Sequence, residues 1–392
     1  MRFDPAAATA RYIDGLGPDA LAKAADYTRG GEWLLLWGVV VAAIVTFLFV
    51  RLRILDRLAV RLERRGWALR TFLLCAAFML LSALLTLPWD IYTGWWREAA
   101  YGRTSQPFGD WLGQSAISLL LGALFGGLFF LGIYALIRRA GKRWWLWSGG
   151  LAAVAISLVL LASPIVVEPL FNDYQPVPEG PVRDALIVQA DKAGIAHDRI
   201  FLYDGSRQSN NFTANVSGLG HSARIAISDV AMKGASLDEV KAVTGHEIGH
   251  YVLGHIWRMV IVFTVLAILL FFLADRLFPR LARLFGSDAE IGDPRGFPVM
   301  MFLLSLFSLV ALPVQNYLVR TGESEADAYS LKTANLPDAL ASALVKTAEY
   351  RNPRPYALEE FVFYSHPSVE RRVRAAMDWK VAHPAGAPAT AP

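Results

Sequence analysis

Six long apolar blocks constrain this chain more than any other feature. They run over Trp33–Val50, Phe72–Leu87, Leu112–Ile137, Trp144–Ile165, Ile256–Leu273 and Phe297–Leu318. Blocks of this length can cross the hydrocarbon core of a bilayer as helices. Lipid offers the backbone no hydrogen-bond partners, so each block must satisfy its own N–H and C=O groups, and a helix does this. The expected fold is predominantly α: a polytopic membrane helical bundle of about six spans, carrying a small α+β domain. Composition agrees, with 55% hydrophobic and 18% charged residues. The net charge of +4 comes largely from arginines beside the apolar blocks. It therefore bears on membrane topology, and no nucleic-acid partner is expected. The single cysteine, Cys75, lies inside the second block, which excludes an internal disulfide and any metal site built on paired cysteines.

The blocks divide the chain. Residues 1–31 form a polar N-terminal segment, 32–166 hold four spans, and 167–255 read as a water-facing domain. Residues 256–318 return to the membrane for two spans, 319–380 are helical with a loop near Asn352–Pro355, and the tail 381–392 reads as disordered. After the first span, RLRILDRLAVRLERR places Leu52, Leu55, Leu58 and Leu62 on one side. It is either a surface helix or a solvated basic loop. Within 167–255, Arg199–Tyr203 and Arg224–Ser228 alternate like strands around the glycine-punctuated stretch 210–220.

The stretch with chemistry in it is VKAVTGHEIGHYVLGH, Val240–His255. Ser236 and Glu239 form a capping box just before it, so the stretch is expected to be helical. Helical spacing puts His246 and His250 on one face, within reach of a single metal ion, with Glu247 beside them as a candidate proton acceptor. The bland alternative is a pair of hydrogen-bonded histidines next to a membrane. A metal site of this kind needs a third protein ligand. His255 lies nine residues after His246, half a turn away on a continuous helix, and is expected to face the other side. In RTGESEADAYS, Glu323 and Asp327 share a helical face, whereas Glu325 does not. Glu323 is then either a ligand, with Asp327 behind one histidine, or part of a solvated acidic helix start.

These motifs resemble those of the type I CAAX prenyl protease family, integral-membrane zinc endopeptidases, here in a bacterial form. The resemblance covers Tyr12 to Val373. It rests on SALLTLPWDIY (Ser82–Tyr92), SPIVVEPLFNDYQPVPEG (Ser163–Gly180) and NFTANVSGLGHSARIAISD (211–229), then on GHEIGHYVLGH, Glu323–Asp327 and YSHPSVERR (Tyr364–Arg372). It implies a zincin-like catalytic domain, with one Zn2+ held by His246, His250 and Glu323. It further implies Glu247 as catalytic base, Asp327 behind a ligand, and His366 and Arg372 as helpers near the cleft. The spans are expected to enclose a chamber. A peptide or protein substrate is expected to lie as an added strand along Thr213, Ala214, Asn215, Val216, Ser217 and Gly218. Read without the resemblance, those six residues are an ordinary hairpin. The sequence departs from the family pattern at Thr213, where an asparagine is usual, and at Arg320, whose usual serine neighbour is missing.

The implied function is a membrane-embedded zinc endopeptidase cleaving peptides or membrane-associated proteins. Its rivals are a non-enzymatic scaffold or transporter, or another membrane metallohydrolase. A multi-pass protein of a bacterial inner membrane is expected. Arginine-rich loops 51–70 and 138–143 place the catalytic face in the periplasm by the positive-inside rule, while the family resemblance places it in the cytosol.

Overall fold

The computed structural model describes residues 3–218, 220–348 and 351–384. In chain order the first helices are α1 (Pro5–Asp14), α2 (Pro18–Arg51), α3 (Ile54–Arg61), α4 (Trp67–Ile91), α5 (Arg97–Ala100), α6 (Phe108–Ala140) and α7 (Trp144–Ala162). Then come β1 (Tyr174–Pro176), α8 (Pro181–Ala193), β2 (Ile200–Tyr203), β3 (Ala214–Ser217), β4 (Arg224–Ser228), α9 (Asp229–Gly234) and α10 (Leu237–Val252). The chain continues as α11 (His255–Phe285), α12 (Phe297–Ala334), α13 (Pro337–Ala348), α14 (Ala357–Phe363) and α15 (Val369–Ala382). The tail expected to be disordered lies outside the described residues from position 385 onward.

Among the described residues, five stretches are long and apolar enough to cross a membrane, and one of them, Phe108–Leu170, holds 63 residues. As one straight helix it would measure about 95 Å, roughly three bilayer cores. It turns back instead at Gly141, whose φ of 55° suits a residue without Cβ, so that α6 packs against α7. The chain therefore makes six crossings, as expected. Their packing closes a ring in the order α2, α12, α11, α7, α6, α4 and back to α2. Only 11–33% of each span is buried. Burial this low fits a hollow ring rather than a solid bundle. The ring is plugged at one end by Phe49, Phe78, Phe130, Trp144, Phe278 and Phe297, edge to face at 4.7 Å for Phe130–Phe297. That end carries the arginine-rich turns. The amphipathic segment after the first span is the helix α3, with Leu55 and Ala59 buried against the plug and Leu52 exposed.

The other end carries the α+β domain. Its four-stranded sheet has the order β1-β2-β4-β3, with β2 and β4 parallel and the outer pairs antiparallel. All five residues of β4 are buried at the centre, and β3 forms an edge with one open side. Ile225, Ile227, Val240 and Ile248 fix α10 to the sheet. On the opposite flank α10 lies against α12. A Cβ added at Gly249 would come within 3.1 Å of the Ala326 backbone, so this glycine sets how near the two helices approach.

Two features differ from the simplest reading of the blocks. Residues 1–31 are not one segment. α1 packs its Ile13 with Val373 and Met377 of α15, while the polar stretch from Pro18 continues into the first span as one helix. The last span likewise does not stop near Leu318; α12 runs unbroken through Pro313 to Ala334. The acidic motif thus stands on a rigid extension of a membrane helix. The expected capping box of α10 is present, Ser236 and Glu239 exchanging both bonds. Burial opposes the Glu239 charge, yet hydrogen bonds from Lys346 and Ser342 hold its carboxyl down to about 2.

Candidate metal centre

One turn of α10 separates His246 from His250, and their Nε2 atoms stand 3.1 Å apart. Glu323, delivered by α12, completes a triangle: its Oε2 is 3.3 Å from Nε2 of His246 and its Oε1 3.4 Å from Nε2 of His250. A tetrahedral ion with ligand bonds of about 2.0–2.1 Å has ligand–ligand edges of roughly 3.3–3.4 Å. The three contacts, of which the two to Glu323 use different carboxylate oxygens, are close to that size. Glu323 Oε2 is buried without a hydrogen-bond partner, an arrangement that is costly unless a cation satisfies it. Of the described residues, only this His–His–Glu group has the spacing of a metal site. The donor set thus fits a divalent ion such as zinc, and Glu323, 6% exposed, is not part of a solvated helix start.

The outer sides of the ligands are held as well. Asp327, one turn after Glu323, accepts from His246 Nδ1 at 2.9 Å and is itself gripped by two Arg372 bonds of 2.7 Å. Burial disfavours a charge on His246, but the carboxylates of Asp327 and Glu323 beside it outweigh this and push the imidazole up to about 9. Positive charge is favoured at this spot. Burial works against the Arg372 guanidinium too, and Asp327 raises it above its ordinary value regardless. Arg372 sits behind His246, backing Asp327, while also lining the inner wall of the cleft.

The expectation for His255 is corrected. Helix α10 ends at Val252 and Gly254 adopts φ 68°, so α11 begins afresh at His255. The break swings His255 round until its Nδ1 lies 2.9 Å from Nδ1 of His250. Its Nε2 meets Glu325 Oε2 at 2.8 Å. Neither residue belongs to the His–His–Glu group, but His255 touches its outer side and Glu325 stands behind His255. The signal was the glycine before His255, a helix stop that a continuous wheel ignores.

In front of the His–His–Glu group lies a cleft of about 300 Å³, lined by Glu247, His246, Glu323, His366, Thr213 and Ala214 among others. Burial raises the Glu247 carboxyl above its usual range, against the pull of both imidazoles. His366 Nε2 lies 3.3 Å from Glu323 Oε1, and Ser365 Oγ meets its Nδ1 at 2.9 Å. Burial brings His366 down to about 4, so it works as a neutral imidazole near pH 7. Its segment is tied down from α12: Asn316 donates to the Val362 carbonyl at 2.7 Å and Arg320 to that of Glu360 at 2.9 Å. Thr213 does not reach a ligand; its hydroxyl shares a 2.7 Å bond with Tyr203. Ala214, Asn215, Val216 and Ser217 form the edge strand β3, and Gly218 follows with φ 85°.

The sequence model of peptidase family M48 matches residues 176–380, just over half of the chain. The chain belongs to that family. A second model, described as the CAAX prenyl protease N-terminal region with five membrane helices, matches residues 7–173, where this chain has four crossings. The Bacillus subtilis protein "Uncharacterized metalloprotease YhfN" is 28% identical over 76% of this chain and 71% of its own length. "CAAX prenyl protease 1" of Saccharomyces cerevisiae is 30% identical over 75% of this chain and 69% of its own. Crystalline Ste24p of S. mikatae superposes with a TM-score of 0.75 at 23% identity, covering 95% of each chain, and shows the same fold. With its membrane spans, the M48 chain is a membrane metalloendopeptidase, and its family membership calls for a metal cofactor.

Proposed function

We propose that the metal is zinc and that His246, His250 and Glu323 hold it, with Glu247 as the catalytic base. The observation that carries this is the cluster of His246, His250 and Glu323, the first and last buried and His250 partly so, with donor atoms close together and opening onto a cleft that contains Glu247. When bound, zinc would supply Lewis acidity towards the oxygen of water, making that water more acidic, and towards a substrate carbonyl oxygen. Glu247 accepts the proton of the attacking water and passes it to the leaving amine; a carboxyl raised by burial suits both directions. His366, neutral and facing the cleft, donates a hydrogen bond to the oxygen on which charge develops. Arg372 and Asp327 are positioning residues that keep His246 aimed.

Substrate lies along the open side of β3, from Thr213 to Gly218, and pairs its backbone with the sheet. An edge strand beside the cleft supports this mode, which makes few demands on side chains. Substrates are then peptides or membrane-associated proteins with an extended segment that reaches the cleft. Purified protein in detergent is expected to cut casein or an extended peptide at internal bonds, to stop with a zinc chelator, and to recover when zinc is returned. Cleavage that is indifferent to chelation would sink the metal assignment.

The membrane is proposed to be a bacterial inner membrane with the catalytic face in the periplasm. Loops 51–70 and 138–143 lie at the plugged end, away from the metal centre, and carry many arginines against only Asp56 and Glu63. Moving such loops outward works against the membrane potential, at about 2.3 kcal/mol per charge per 100 mV. Alkaline phosphatase fused to the C-terminus is expected to be active, and fused at Arg139 inactive. The reverse pattern would place the site in the cytosol.

A further inference from the structure

We infer that His255 and Glu325 form a positioning arm that fixes the tautomer and aim of His250, the counterpart of Asp327 and Arg372 behind His246. The inference rests on the zinc reading above and extends it to two residues outside the ligand set.

The proton assignment follows from the contacts. Glu325, as a carboxylate, only accepts, so the 2.8 Å bond from His255 Nε2 requires the proton on that nitrogen. A neutral His255 then has a bare Nδ1. That nitrogen lies 2.9 Å from Nδ1 of His250, so His250 must carry the proton on Nδ1 and donate it. The remaining nitrogen of His250, Nε2, is left with a free lone pair, and it is this atom that points at Glu323 and His246. Each proton along the chain has one place to be. Metal-binding histidines commonly donate their second N–H to an outer acceptor that fixes ring and tautomer. Here the acceptor is another imidazole.

The arm is built rather than incidental. His255 is only 5% exposed, and Arg258 Nη1 holds Glu325 in place at 2.8 Å. Arg258 and His255 occupy space that exists because residue 322 is glycine: a Cβ there would lie 2.8 Å from Arg258 Nη2 and 3.4 Å from His255 Nδ1. The arm crosses from the first turn of α11 to α12, so it joins the helix after the histidine motif to the helix that carries Glu323. The two histidine ligands are thus braced by separate acidic residues, Asp327 for one and Glu325 for the other, both on α12.

The test is zinc affinity by competition with a chromophoric chelator, on detergent-purified full-length protein, with apo-protein unfolding temperature as a control on the fold. Loss of an outer partner typically weakens metal binding by about 10–100-fold. His255→Leu keeps the volume and removes the bonds; its zinc dissociation constant is expected to rise by that factor with the apo unfolding temperature unchanged. His255→Gln can accept from His250 with its carbonyl and donate to Glu325 with its amide, so it should stay within about 3-fold of wild type by the same reasoning. Wild-type affinity in the leucine variant would overturn the inference, as would equal weakening in leucine and glutamine variants. A wild-type protein that binds no zinc overturns this arm and the zinc reading together. One that binds zinc but cuts no peptide overturns only the proposed reaction, and the affinities still decide the arm.

Discussion

Glutamine in place of Glu247 is expected to leave zinc bound and the fold intact while peptide turnover falls on the order of 10³–10⁴-fold. The substitution changes one oxygen for an amide of the same shape, so packing around α10 is preserved. None of the three donors is touched, since His246, His250 and Glu323 make their contacts without Glu247. What disappears is the only cleft-lining carboxylate among the described residues besides Glu323, and with it the proposed acceptor for the proton of the attacking water. The loss should therefore appear in kcat, with little change in KM, because the missing interaction belongs to the transition state. Steady-state kinetics beside metal analysis of the same preparation check it. Turnover equal to wild type would remove Glu247 from the mechanism, and loss of zinc in the glutamine variant would make its role structural.

Alanine in place of Glu323 is expected to cost zinc itself, by more than the roughly 100-fold that marks the upper range for outer partners. Without that carboxylate the two Nε2 lone pairs of His246 and His250 face each other at 3.1 Å with no negative charge to help gather a cation. The sequence pattern sets Glu325 apart from this: it lies off the Glu323–Asp327 face, and Glu325→Ala is expected from spacing alone to be silent. The contacts revise that expectation. Glu325 reaches His250 through His255, so its removal should weaken zinc, though less than removal of Glu323. Equilibrium zinc binding to both purified variants orders them, and a Glu325 variant weaker than the Glu323 variant would exchange their assignments.

The parts of the structure that were legible in sequence are those fixed by local rules. Apolar length gave six crossings because lipid admits so few backbone conformations. Ser236 and Glu239 announced the start of α10, and spacing placed His246 and His250 on one face. His255 was misplaced because one glycine, Gly254, ends a helix that the spacing argument extended through it. Whether Glu323 or a solvent-facing acid occupied the third corner depended on the packing of α12 against α10, a contact between residues some 80 positions apart in the chain. The role of Arg320 was equally hidden: its partners are backbone carbonyls forty residues downstream, and carbonyls leave no mark in a sequence. The exposed edge of β3 depended on strand order, since β3 could have lain at the centre of the sheet with the same residues. Nor could hydropathy tell a hollow ring from a filled one. It reports that a span is apolar, not what its inner face meets.

The most direct measurement is zinc-edge X-ray absorption on the purified wild-type protein, with metal counted per chain. One zinc per chain is expected, surrounded by nitrogen and oxygen at about 2.0–2.2 Å with imidazole scattering from two histidines. The same spectrum recorded from Glu323→Ala should lose intensity or change its light-atom shell. No bound zinc, a sulfur shell near 2.3 Å, or an alanine variant with full occupancy and an unchanged spectrum would contradict the site.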